Sequence, residues 1–167
     1  MNALAAFTLF HVAISLVGIF TGFVVAAGLL TSKRLDGWTA TFLIFTVATS
    51  VTGFFFPFHG FKPSYVVGAL SLLVLLIAIF ARYSRRMAGP WRWIFVVTAM
   101  VAQYLNVFVL IVQSFMKVPA LKALAPTQTE PPFKLTQLVV LAIFIVLTVV
   151  ASIRFRIESP RLAQLHS

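Results

Sequence analysis

Five apolar stretches constrain this chain more than any other feature: Leu4 to Leu30, Trp38 to Phe56, Tyr65 to Ala81, Trp93 to Met116 and Leu135 to Ile153. About 20 apolar residues in α-helical form cross roughly 30 Å of hydrocarbon. A helix satisfies its own backbone donors and acceptors, which lipid cannot do for it. The pattern predicts an all-α, polytopic membrane helix bundle with about five transmembrane helices. The first and fourth stretches exceed the minimum and should tilt or protrude; the third is the shortest.

Composition agrees with lipid as the solvent. The chain is 61% hydrophobic and 10% charged, against roughly 45–50% and about 25% in soluble domains. A water-soluble domain of this length would still expose roughly 30% of its unfolded surface, too much for a chain so poor in polar residues. The first stretch lacks a basic n-region and runs far beyond the roughly 7–15 residues of a signal-peptide core, so it reads as a mature helix.

The formal net charge is +10, but the basic residues lie between the apolar stretches and do not line one polar face. That is a topology signal and argues against a nucleic-acid partner. Lys33, Arg34, Arg82, Arg85, Arg86, Arg92, Arg154, Arg156 and Arg161 fall on one side of the membrane, and Lys62, Lys117, Lys122 and Lys134 on the other. The positive-inside rule places the Arg-rich side in the cytoplasm, with the N-terminus out and the C-terminus in. Trp38, Trp91 and Trp93 then lie at the inner interface as an aromatic belt. Residues 1–157 form a single bundle, and 158–167, with Pro160 and His166, a loose cytoplasmic tail. The longest connection, Lys117 to Lys134, leaves room for one or two helical turns over Ala120 to Ala125, and Pro131-Pro132 restarts the chain for the last helix.

Polar residues within the stretches follow helical spacing. On the first helix, Thr8, His11, Ser15, Gly18 and Gly22 share one face, and Gly18-x-x-x-Gly22 forms a small-residue packing seam. His11 should lie about 10 Å below the outer surface, where an ionisable group is a functional candidate. On the fourth helix, Gln103, Asn106, Gln113 and Lys117 share a face, and their natural partners are Ser15 and His11 across a contact between these two helices. The second helix presents Thr39, Thr46, Thr49 and Gly53. The turn Phe54-Phe55-Phe56-Pro57-Phe58-His59-Gly60-Phe61-Lys62-Pro63 should hold His59 near the outer interface, above or beside His11.

These residues predict an outward-facing polar pocket between helices one and four, lined by His11, Ser15, Asn106 and Gln113 with Gln103 deeper, for a lipid, quinone or other neutral ligand. The corresponding function is a non-enzymatic binding or accessory protein, alone, as a homo-oligomer or in a larger membrane complex. One alternative is a redox subunit holding haem b or quinone through His11 and His59, although bis-histidine ligation needs two imidazoles on opposite sides of one iron. Another is a small oligomeric channel or uniporter. Asp36, Glu130 and Glu158 are the only acids and lie outside the apolar stretches, which removes a membrane carboxylate relay. The absence of cysteine removes thiolate ligands and thiol redox, and no hydrolase motif or metal cluster stands out.

The stretches Gly53 to Pro63 and Tyr104 to Pro132, with Tyr-Leu-Asn-Val-Phe-Val-Leu and Val-Pro-Ala-Leu-Lys-Ala-Leu-Ala-Pro-Thr-Gln, resemble those of small, uncharacterised bacterial inner-membrane proteins. The resemblance implies a multi-pass protein of the bacterial inner membrane and brings no activity with it.

Overall fold

A computed structural model describes residues 2–56 and 63–156. Every element in them is helical: α1 (Ala3–Leu30), α2 (Asp36–Gly53), α3 (Pro63–Ile79, continued by a π-helical turn over Phe80–Ser84), α4 (Trp91–Lys117), the short α5 (Pro119–Leu124) and α6 (Pro131–Arg154). Pro57, Phe58, His59, Gly60, Phe61, Lys62 and the tail 158–167 lie outside the described residues.

Four helices are long and apolar enough to cross a membrane: α1, α3 with its π-helical turn (Ser64–Ser84), α4 and α6. The third stretch is therefore longer than its apolar core suggested, because the turn carries it through Ser84. The fifth expected span, α2, is an 18-residue helix that falls short on apolarity, since Asp36 and the threonines Thr39, Thr41, Thr46, Thr49 and Thr52 dilute it. It nevertheless runs beside its neighbours between the same two ends. Asp36 at its start meets Arg82 at the end of α3, and Thr52 near its end meets His11 near the start of α1. The threonines of α2 lower its hydropathy without leaving bare hydroxyls at three positions: Thr39, Thr41 and Thr52 donate to the carbonyl four residues back.

The five long helices alternate in direction. Phe80 packs edge-on against Trp91, joining the end of α3 to the start of α4. Gln137 near the start of α6 donates to Phe108 O in the C-terminal half of α4, and Ser32 after α1 bonds Arg156 after α6. Helix α4 is the hub, in contact with α1, α3, α5 and α6. Phe42, Leu75, Met87, Phe95, Met100 and Phe155 are the largest apolar side chains fully buried around it. The outer faces of α3 and α6 remain apolar and exposed, as in Leu73, Leu76, Leu138, Val139, Ile145 and Val146, which is the surface a lipid-facing helix presents.

Two connections follow from local chemistry. Between α3 and α4, Arg86, Met87 and Gly89 take left-handed backbone angles (φ 48°, 55° and 53°), reversing the chain in a short space, and Met87 is buried beneath the turn. After α5, Pro131-Pro132 opens α6 with Glu130 at the N-cap. The Glu130 carboxylate accepts from the Thr127 hydroxyl and from the backbone N–H groups of Thr127 and Thr129, fastening this loop.

Candidate functional site

The polar residues of α1 and α4 do meet inside the bundle, but α2 joins them and takes most of the contacts. From His11 to Gly22 the seam rises about 16 Å along α1. At the level nearest the start of α1, His11 Nδ1 and Thr52 Oγ1 are 2.8 Å apart. The Thr52 hydroxyl lies 2.7 Å from Ala48 O and donates to it, so we assign the imidazole proton to Nδ1, which donates to Thr52 and leaves Nε2 as the acceptor. The imidazole and the Phe56 ring stand nearly perpendicular, 5.0 Å between centroids.

One level deeper, Asn106 Nδ2 on α4 donates to Thr46 Oγ1 on α2 at 3.2 Å. A β-carbon on Gly18 would stand 3.3 Å from that same Thr46 oxygen, so the bare backbone of Gly18 admits the threonine. Deeper still, Gln103 Nε2 donates to Ile19 O on α1 at 2.9 Å. Its carboxamide oxygen lies where a β-carbon of Gly22 would go, 1.8 Å from that position, and Phe42 of α2 closes the same notch at 2.9 Å. Gln103 is 1% exposed and its Oε1 has no hydrogen-bond partner. With no β-carbon at Gly22, that oxygen packs directly against the bare α1 backbone.

The Gly18-x-x-x-Gly22 seam is thus a junction of three helices. The expected pairing of the α4 amides with His11 and Ser15 does not occur: His11 turns to Thr52, Asn106 to Thr46, and the Ser15 hydroxyl donates to His11 O of its own helix at 2.6 Å. A hydroxyl four residues after a helical carbonyl finds that acceptor without crossing any gap. Gln113 lies on the exposed part of α4. His59 lies outside the described residues, so a His11–His59 site does as well. Among the described residues no three His, Cys, Asp or Glu side chains come together as metal ligands.

A second polar constellation, at the Arg-rich end, escaped the sequence reasoning. Arg82, 5% exposed, donates to the Asp36 carboxylate, which also accepts from Arg34 Nε at 2.9 Å. The Arg82 guanidinium stacks near the Phe95 ring, 5.2 Å from its centroid. Lys33, Arg34, Thr39 and Arg82 line a small cavity of about 10 Å³ there, closed by Leu29 and Phe95 among others. A wider apolar groove of about 570 Å³ opens on the lipid side of α3 at Phe54, Tyr65, Val66 and Leu70. Neither space touches His11, Ser15, Asn106 or Gln113. Forty-six residues separate Asp36 from Arg82; an unpaired arginine adjoining an apolar stretch was the available signal, since such a charge requires an acid nearby.

No protein-family model, curated protein or solved structure matches this chain.

Proposed function

We propose that this is a non-enzymatic accessory or binding protein of the bacterial inner membrane, whose interior polar residues lock the bundle and whose surface meets its partners. The observation that carries this reading is that three polar side chains on the α1 and α4 faces are each committed to a neighbouring helix: His11 to Thr52, Asn106 to Thr46 and Gln103 to Ile19 O. Groups so paired hold helices together; a ligand between α1 and α4 would have to displace those bonds. The clustering of Lys33, Arg34, Arg82, Arg85, Arg86, Arg92, Arg154 and Arg156 at one end supports an N-out, C-in orientation, and the resemblance to small bacterial inner-membrane proteins supports the setting.

The test is native mass spectrometry of the protein extracted from its own membrane in mild detergent. The accessory reading expects protein partners, a second copy or another polypeptide, and wild-type levels of them in His11→Phe and Asn106→Leu variants that remain folded. A stoichiometric small molecule in the wild type that is lost in both variants would replace it with the pocket reading. A visible-absorbing group lost in His11→Phe would replace it with the haem reading.

A further inference from the structure

Among the described residues, the cavity at the Arg-rich end brings together more positive charge than carboxylate. Lys33, Arg34 and Arg82 line it together with Val25, Leu29, Leu35, Phe95 and Phe155, and among the described residues Asp36 opposes them, accepting from both arginines through one oxygen. A guanidinium carries five N–H donors. Buried Arg82 directs one nitrogen to Asp36 and another to Met87 Sδ at 3.9 Å, a weak acceptor. The cavity also adjoins the start of α2, where Leu35 at the N-cap provides no side-chain acceptor for the first-turn amides. Three cations, one of them a buried guanidinium whose bonded partners are one carboxylate and a thioether, thus lie at one small space beside a helix start without a side-chain cap.

We propose that this space receives one phosphate oxygen of an anionic phospholipid headgroup. Its volume of about 10 Å³ matches roughly one water-sized occupant, so a single oxygen enters while the rest of the phosphate stays outside, beneath the exposed Lys33 and Arg34. The position selects lipid over a free anion. Helix α1 ends at Leu30 and α2 starts at Asp36, which puts the cavity at headgroup level, and Trp38, next in sequence to the lining Thr39, lies exposed in the first turn of α2, edge-on to Phe20 at 6.1 Å. The acyl chains descend along that aromatic flank, held in the interfacial zone where tryptophan anchors.

The test uses the full chain in phosphatidylcholine nanodiscs, with thermal unfolding followed as phosphatidylglycerol replaces part of the phosphatidylcholine, and separately as inorganic phosphate is added. Phosphatidylglycerol should raise the Tm and inorganic phosphate should not. A K33Q/R34Q variant should need on the order of 10–30-fold more phosphatidylglycerol for the same rise, whereas a K122Q/K134Q variant, altered at the opposite end, should respond like the wild type. A wild type indifferent to phosphatidylglycerol overturns the proposal, as does an equal response to inorganic phosphate. So does a response unchanged in K33Q/R34Q, or lowered equally in K122Q/K134Q, which would mean a general electrostatic attraction.

Discussion

The carboxamide oxygen of Gln103 on α4 occupies the place of the side chain that Gly22 on α1 lacks, 1.8 Å from where a β-carbon would be. The same amide donates to Ile19 O through its nitrogen, so one side chain grips the α1 backbone at two points less than a helical turn apart. Lipid offers no hydrophobic drive for helices to associate, and close backbone approach with cross-helix hydrogen bonds takes its place.

Replacing Gly22 with Ala should therefore cost more than replacing Gly18. At Gly22 the new methyl collides with Gln103 and Phe42, and at Gly18 it meets Thr46 at 3.3 Å, a distance that small shifts relieve. A loss of roughly 1–3 kcal/mol is expected for Gly22→Ala, less than 1 kcal/mol for Gly18→Ala on the same scale, and partial recovery when Gly22→Ala is combined with Gln103→Ala. Thermal unfolding in lipid nanodiscs measures all three.

At the Arg-rich end, Asp36→Asn removes the carboxylate that Arg82 holds. Stripping one partner from a fully buried pair costs about 3–5 kcal/mol. The Asp36 side chain is 62% exposed, so solvent screening lowers the expectation to about 1–2 kcal/mol. The charge-conserving Asp36→Glu should recover part of it. Equal stability of Asp36→Asn and wild type in a chemical-denaturation titration would show that water already serves Arg82.

The run lengths of apolar residues revealed the five long helices, and Pro131-Pro132 marked the start of α6 within the chain. Spacing on α1 also identified Gly18 and Gly22 as a seam. What spacing cannot say is which neighbour a face meets. His11 and Asn106 each lie on the polar face that spacing marks, yet both turn to α2, because Thr46 and Thr52 project toward α1 and α4 from a helix whose threonines are ambiguous in sequence: each can satisfy itself on its own backbone or accept from a neighbour. The Asp36–Arg82 pair was hidden for a related reason. Asp36 adjoins an apolar stretch and resembles a loop acid until the fold brings the end of α3 beside it.

The loop before α6 should respond to acid. Desolvation pushes the Glu130 carboxyl up, but hydrogen bonds from the Thr127 hydroxyl and from nearby backbone N–H groups outweigh it and hold the group below its ordinary value. A depressed carboxylate contributes stability above its unfolded pKa of about 4.3 and loses it as pH falls through the lower folded value. Amide exchange at Thr127 and Thr129 should be slow at pH 6, accelerate relative to its intrinsic rate only below about pH 4, and be fast at both pH values in Glu130→Gln.

Orientation is checked by placing cysteines at Ala3, Thr127 and Ser167 in this cysteine-free chain and labelling intact spheroplasts with an impermeant reagent. Ala3→Cys and Thr127→Cys should label, and Ser167→Cys should label only after lysis. Labelling of Ser167→Cys alone would invert the topology, and labelling of both Ala3→Cys and Ser167→Cys would make the number of crossings even, leaving α2 as a helix that does not span.

The central claim is that the interior polar groups bind each other and thereby hold α1, α2 and α4 together. A double-mutant cycle on Asn106→Leu and Thr46→Val measures it directly, with stability read by unfolding in nanodiscs. Residues in contact should be non-additive, by about 0.6 kcal/mol and up to about 1.7 kcal/mol for hydrogen bonds within membranes, with the double variant more stable than the sum of the singles predicts. Strict additivity, accompanied by loss of a co-purifying molecule in each single variant, would contradict the claim and return these residues to a ligand site.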